Sequence, residues 1–552
     1  MTTYDGKVLD QQGAVHNVKS SSYGAKGDAK VAANGAMSSG QYVLTVSGSA
    51  PFSSGDVGKR IRVAGAGASG VPLSTTIQSY TSASQVTLAA SASVTVSGAW
   101  FVFGTDDQAA LNAAIAAASS AGGGTVYVPP GTYLLGSSIA LMQKVRLIGA
   151  GRASTVLRAD ADNSVLLYDA SGHPSAINTG NIDVLDLSLV GGDDYQQVSL
   201  THALVEVRNL TSVYIARCQF DQVRSTQPVV LWHWVEGSSI EETYFLNLRG
   251  YGAYLESQSN NNHFIGTSFG AIDNGEGWSV IGLALDDTTQ NTVIVGCNFE
   301  GQGYGNIGLS CAGSVCSYVA GNFFEYWAGA CIEASVGKAT NLTIDNNHLL
   351  ATAAAYCYVN VYSSSGPGPN DHVSITNNRF TFLGLPTGAA LGINGGDTTN
   401  LVVLNNFATD GGVLLSIGGV NQPNGDVVSL PSALIMPARV ACAVSRIVGF
   451  SGGTALIDPS VCGTAIVQPG DSSSFLIDVA GVPMYEGQAL TIDVRAPADG
   501  SACGSVTFSS VFHLAGGSTG FTQPGSAKGR AICFYWDGGG WIETCRVSGD
   551  VA

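Results

Sequence analysis

One repeat limits what this chain can fold into more than any other feature. The segments "CQF" (218–220), "TYF" (243–245), "TSF" (267–269), "CNF" (297–299), "NFF" (322–324), "NHL" (347–349), "NRF" (378–380) and "NNF" (405–407) recur in order. Their final residues are separated by 25, 24, 30, 25, 25, 31 and 27 positions. A helical array of this period needs helical apolar spacing inside each unit, and none is present. One apolar residue per coil, with Asn298, Asn322, Asn347, Asn378 and Asn405 beside it, describes a parallel β-solenoid. Each coil buries its Phe on the next, and the asparagines stack at a turn.

A second row with the same period carries polar chemistry. "ALVEVR" (203–208), "VLWHWV" (230–235), "AYLESQ" (253–258), "LALDDT" (283–288), "IGLSCA" (307–312), "ACIEAS" (330–335) and "CYVNVY" (357–362) align Glu206, Trp232, Glu256, Asp286, Ser310, Glu333 and Asn360. Strand alternation turns Val205, Leu231, Leu255, Leu285, Leu309, Ile332 and Val359 inward. It sends the aligned row outward, joined by Arg208, Trp234 and Tyr254. Carboxylates flanked by aromatic rings suit a sugar polymer, because rings stack on pyranose faces and carboxylates do acid–base work.

Coils lie about 4.8 Å apart, so Glu256 and Asp286 on neighbouring coils approach the roughly 5–5.5 Å of a retaining glycosidase. Glu206 with Glu256, or Asp286 with Glu333, falls roughly 9–10 Å apart, at the upper edge of inverting geometry. The expected catalytic set is therefore Glu256, Asp286, Glu333 and Glu206, with Trp232, Trp234, Tyr254, Arg208 and His233 holding sugar. Glu300 and Glu325, each following a stacked Phe, form a second candidate pair. No metal or other cofactor is expected, since Asp286-Asp287 supplies too few oxygens for a calcium cage.

"TDDQAALNAAIAAASSAG" (105–122) is the one convincing helix, with Thr105 and Gln108 at capping-box spacing and glycines 122–124 at its end. It is expected to shield the open end of the solenoid. "GGGTVYVPPGTYLL" (122–135) then opens the first coil, with Pro129-Pro130-Gly131 as its first corner. Short strands over 33–104 read as a β-rich insertion, and beyond about residue 425 the period gives way to strands and tight turns, a β-sandwich. The chain thus divides into an N-terminal segment (1–18), a cap (19–124) holding the insertion and the helix (105–121), a catalytic β-helix (125–425) and a C-terminal β-sandwich (426–552).

Composition narrows the partners. A net charge of −17 argues against nucleic acid, whose phosphates need a basic surface. No apolar run is long enough for membrane insertion, and the start "MTTYDGKVLDQQG" has no basic and apolar leader, so no signal peptide is expected. Eleven cysteines, mostly single within strand-like runs, read as buried free thiols.

"NVKSSSYGAKGD" (17–28) followed by residues 105–135 resembles the opening of the pectate-lyase-like (pectate lyase 3) superfamily. There a short strand, a capping helix and a GG-x-V-x-[VF]-P-x-G-x-Y segment lead into a right-handed β-helix. With the solenoid, the resemblance covers about residues 17–425. The ending "FYWDGGGWIETCR" (534–546) is similar to the terminal hairpin of phage tailspikes. That resemblance implies an all-β homotrimer on the virion, joined to the phage tail or baseplate through residues 1–18, that acts outside the host cell on bacterial surface polysaccharide.

No catalytic residue carries over from the superfamily. Its hydrolases use outward Asp and Glu, within one subunit or across two. Its lyases use an Arg or Lys base with a charge neutraliser, and Arg208, Arg217, Arg224 and Arg249 keep that route open. The expected function is a tailspike endoglycosidase cutting capsular polysaccharide or lipopolysaccharide O-antigen. A polysaccharide lyase and a non-catalytic receptor-binding tail protein are the alternatives.

Overall fold

Short strands, each ended by a bend, build most of the chain. The computed structural model describes residues 3–4, 7–8, 15–160, 164–170, 180–191, 202–221, 227–271, 280–286, 288–302, 306–311, 314–334, 339–352, 358–361, 370–383, 391–393, 398–399, 402–408, 415–417, 420–422, 427–428, 444–459, 463–480, 488–497, 499–515, 521, 524–526 and 528–546. They fall into two units, Met1–Gln422 with Ser429–Ser432, and Pro423–Val428 with Ala433–Ala552.

The first unit is a parallel β-helix. Each coil passes in turn through three sheets, which start at Gly124–Val128, Gly131–Leu135 and Ile139–Ala140. Neighbouring coils pair in parallel in all three. Left-handed residues bend each coil on both sides of the first sheet. Gly237, Asn261, Asn291 and Asn341 precede its strands, while Gly266, Gly296, Asn346 and Asn377 follow them. Gly and Asn tolerate that conformation best, which explains their periodic recurrence.

The Phe row forms as expected over seven coils, with Phe220, Phe245, Phe269, Phe299, Phe324, Leu349 and Phe380 in register and fully buried. Phe299 lies 4.8 Å from Phe269 and 4.5 Å from Phe324, ring centre to ring centre. Burial contributes about 1.5–3 kcal/mol per ring and stacking roughly 0.5–1.5 more. The eighth position departs. Phe407 pairs with Arg379 and is 64% exposed, while Ala408 is the register partner of Phe380.

The asparagine row also shifts at its ends. Asn322, Asn347, Asn378 and Asn406 are buried, each amide donating to the next Oδ1 at 2.9, 2.9 and 3.0 Å along the row. Asn322, Asn347 and Asn378 also donate to backbone carbonyls of an earlier coil. Asn298 instead lies within a strand, and Asn405 is one of the left-handed corner residues.

At the N-terminal end the helix Gln108–Ser120 buries Leu111, Ala114, Ile115 and Ala118. The anticipated capping box does not form. Thr105 donates its hydroxyl to Asp28, and the Asp107 carboxylate accepts the backbone N–H groups of Lys26 and Gly27 at 2.6 and 2.8 Å. These side chains clamp the 17–28 segment rather than cap the helix. At Gly131 a Cβ would sit 2.5 Å from the Gly27 carbonyl oxygen, so the first corner requires glycine. The insertion closes into a six-stranded barrel between Lys30–Met37 and Val96–Gly104, tied to the β-helix by Lys59–Asp28 and Arg62–Asp160 ion pairs.

The second unit has two facing sheets around one core that includes Ile477, Ile492, Phe534 and Trp541. Its pairing differs from that of an antiparallel Greek-key sandwich. Val444–Val448, Thr464–Gln468 and Ala489–Arg495 are parallel in one sheet; Thr454–Ile457, Phe475–Val479 and Val506–Phe508 are parallel in the other. Consecutive strands alternate between sheets, so each pairs with the next but one. The expected closing hairpin is present as Gly529–Trp536 and Trp541–Arg546.

Candidate functional site

The third sheet carries the outward polar residues, but in a different register from the one the sequence suggests. One outward column holds Glu206, Leu231, Tyr254, Ala284, Ser310, Glu333 and Asn360. The next holds Asp169, Arg208, His233 and Glu256 on four consecutive coils. Trp232 belongs to neither. It pairs with Val207 and Leu255, is fully buried and lies 6.0 Å from Phe264. Trp232 therefore fills the core instead of binding sugar, and Leu231, expected inward, takes the outward place. A large ring gains more from burial than a Leu, which moves the alternation by one residue at this strand.

The expected carboxylate row is broken by the same correction. Glu206 and Glu333 share a column but stand five coils apart, roughly 24 Å. Asp286 is consumed by a turn: its Oδ2 accepts the Ser257 N–H at 2.8 Å. Its Oδ1 accepts the Thr288 N–H at 2.9 Å and the hydroxyls of Thr288 and Thr289 at 2.8 and 3.0 Å. A carboxylate with its lone pairs so occupied holds a corner. It follows the Leu255–Leu285 register partners, which sets Asp286 beside Glu256 on the adjacent coil. Asp287 lies outside the described residues, as does Arg224.

What the structure brings together is a cluster spanning four coils. Glu206 Oε1 accepts the Arg208 Nε–H at 2.6 Å, and Ser164 donates to Glu206 Oε2 at 3.2 Å. His233 Nδ1 meets Glu256 Oε1 at 2.9 Å. A carboxylate there accepts the Nδ1 proton, which leaves Nε2 as the basic nitrogen. Arg208, His233 and Glu256 are each partly exposed, at 27%, 29% and 26% of the side chain, so the column is reachable from solvent.

Aromatic rings flank this column. Tyr254 stacks on Tyr251, centroids 5.5 Å apart, and Trp234 lies 6.1 Å from His233. Trp234 adopts a left-handed backbone, φ 55°, at a position where its neighbour on the preceding coil is Asn209, φ 60°. A bulky residue is strained there where Asn is not, and such strain concentrates at functional sites. Tyr251 and Asp169 escaped the sequence reading. Asp169 precedes Arg208 by 39 positions, well beyond the usual period, so only strand pairing exposes the relation.

A second acidic pair lies on the second sheet. Glu300 and Glu325 are direct partners on adjacent coils. Burial, followed by the neighbouring Glu300 charge, pushes Glu325 above the ordinary carboxylate range.

Residues 94–314 match the profile of the rhamnogalacturonase A/epimerase, pectate lyase-like family. Over that span the chain is similar to pectate-lyase-like proteins. The matched span contains Arg208, His233, Tyr254 and Glu256, while Glu325 and Glu333 lie beyond it. Mannuronan C5-epimerase AlgE6 of Azotobacter vinelandii is 37% identical over 93 residues, 16% of this chain and 11% of its own length. Alginate lyase 7 of the same organism is 33% identical over 101 residues, again 16% and 11%. The chain thus spans about a tenth of the length of these relatives. Among solved structures, the A-module of mannuronan C-5 epimerase AlgE4 from A. vinelandii has a TM-score of 0.35 at 17% identity, over 58% of this chain and 96% of that one. Geobacillus virus E2 ORF18 has a TM-score of 0.37 at 17% identity, over 55% and 59%.

Proposed function

We propose that this protein acts on a uronate-containing polysaccharide by removing the proton beside the sugar carboxylate, as a lyase. The observation that carries this reading is the Arg208–His233–Glu256 column, with its 2.9 Å His–Glu contact. Arg208 supplies the cation for the uronate carboxylate, whose negative charge grows as the carbanion-like transition state forms. Glu256 orients His233, and Nε2 takes the C5 proton. The electron pair forms the C4–C5 double bond, the C4–O bond breaks, and the Tyr254 hydroxyl protonates the leaving oxygen. Two relatives named for alginate chemistry, an epimerase and a lyase, support an acidic sugar as substrate. Incubation with alginate, pectate and acidic capsular polysaccharide tests this. Ultraviolet absorbance from unsaturated ends is expected, lost in His233→Ala. New reducing ends without absorbance would remove the lyase reading.

A hydrolase remains the second reading, favoured by the Glu300–Glu325 pair. Adjacent coils separate the two by about 4.8 Å, close to retaining geometry, and the raised Glu325 suits a general acid. Under this reading Glu325→Gln abolishes reducing-end release. The tailspike setting, with three copies on a virion binding host capsule or lipopolysaccharide, rests on the resemblance of the closing hairpin. Solvent-facing Ile265 and Tyr318 on the first sheet, each 42% exposed, support self-association. Light scattering of the purified chain checks it, and a monomer would exclude the trimer.

A further inference from the structure

We propose that Cys533 and Cys545 are a redox modification site that closes as a disulfide across the C-terminal hairpin. The two are direct Cα partners in the antiparallel strands Gly529–Trp536 and Trp541–Arg546. Directly opposed antiparallel residues have Cα atoms about 4.5 or 5.5 Å apart, both within the roughly 4.4–6.8 Å that a disulfide spans. Cross-strand partners also project from the same face. That face is the outer one: Ile532 and Phe534 are buried in the core, while Cys545 is exposed and Cys533 half-buried. Thr491 pairs with Cys533 on its other side and points its hydroxyl at the sulfur, 3.9 Å away. The facing Cys533 thiol raises the Cys545 pKa, ahead of any effect of burial.

The buried thiols of the β-helix make the contrast. Cys218 and Cys297 occupy equivalent corners, but Thr243 and Thr267 stand between them, placing them three coils or about 14 Å apart. Both are buried, which denies an oxidant access and pushes each thiol up to about 12. Only the hairpin pair combines register, exposure and a facing partner among the described cysteines.

The oxidant is a small-molecule disulfide. The Cys545 thiolate attacks one of its sulfurs, the S–S bond breaks, and one thiolate leaves. The Cys533 thiolate then attacks the Cys545 sulfur in the mixed disulfide and expels the second. Two cysteines are oxidised, the reagent is reduced to two thiols, and the two cysteine protons pass to the departing thiolates.

Tryptic mapping tests this on the full chain. Arg530 and Arg546 flank a stretch without Lys or Arg, so residues 531–546 leave as one peptide holding both cysteines. After oxidised glutathione and alkylation without reduction, the peptide is expected unalkylated and about 2 Da lighter than its dithiol, reversibly with dithiothreitol. Cys533→Ser is expected to trap glutathione on Cys545. Cys545→Ser, at the exposed position, is expected to leave Cys533 alkylatable, with unchanged near-ultraviolet circular dichroism. Alkylation of both cysteines in the oxidised wild-type chain, or a stable glutathione adduct without ring closure, would overturn the proposal.

Discussion

The inside of the β-helix and the outer face of its third sheet are built on the same coils yet behave as different materials. Inside, Phe269, Phe299 and Phe324 repeat one solution, each ring stacked on the next. Outside, the column Asp169, Arg208, His233, Glu256 changes residue type at every coil. A solenoid core rewards repetition because each coil must match its neighbours. A site needs different groups at fixed separations, and the rigid core supplies those separations.

The sharpest way to break that contrast is inside. Phe299→Ala removes a ring packed on both sides and is expected to cost about 3–5 kcal/mol, read by chemical denaturation. A loss below about 1 kcal/mol would mean that the coils close over the gap. On the outer face the reverse pattern is expected. His233→Ala should lower turnover roughly 10²–10⁴-fold while changing stability by no more than about 0.5 kcal/mol. If stability falls with activity, the His–Glu contact is a strut.

Asp286 gives a finer test, because it faces outward but serves a corner. Asp286→Ala should cost roughly 1–2 kcal/mol through its four lost hydrogen bonds, with turnover per folded molecule intact. Selective loss of turnover would return it to the site.

The smallest effect concerns Glu325, whose folded pKa is raised by burial and then by Glu300. The native state then binds more protons than the unfolded state, so this group lowers stability as pH rises through its folded value. Glu325→Gln should therefore stabilise the chain slightly at neutral pH. That gain should disappear on acidification below the ordinary glutamate range. Melting curves of both proteins across that window decide it, and a gain independent of pH would assign the effect to packing.

How much of this was legible beforehand follows from the same contrast. The 25-residue period, the Phe row and the corner at Gly131 could be read directly, because interior packing and left-handed corners restrict residue type strongly. Seven of the eight Phe-row positions fell in place; Phe407 failed because it follows the Asn405-Asn406 pair directly, whereas one residue separates Asn377-Asn378 from Phe380. The outer face was harder. Trp232 and Leu231 exchanged sides, and a slip of one residue reverses every side chain in a strand.

Sequence by itself thus determined the parallel β-helix, the start of its first coil and a helix at its N-terminal end. It also supplied most of the cast of the site: Arg208, His233, Tyr254 and Glu256. Tertiary structure alone decided who meets whom. It paired His233 with Glu256, tied Arg208 to Glu206, withdrew Trp232 into the core and committed Asp286 to a turn. The physical reason is that burial acts on each residue separately and leaves its mark at each position. Contacts between coils depend instead on register, which variable loops shift without any local signature.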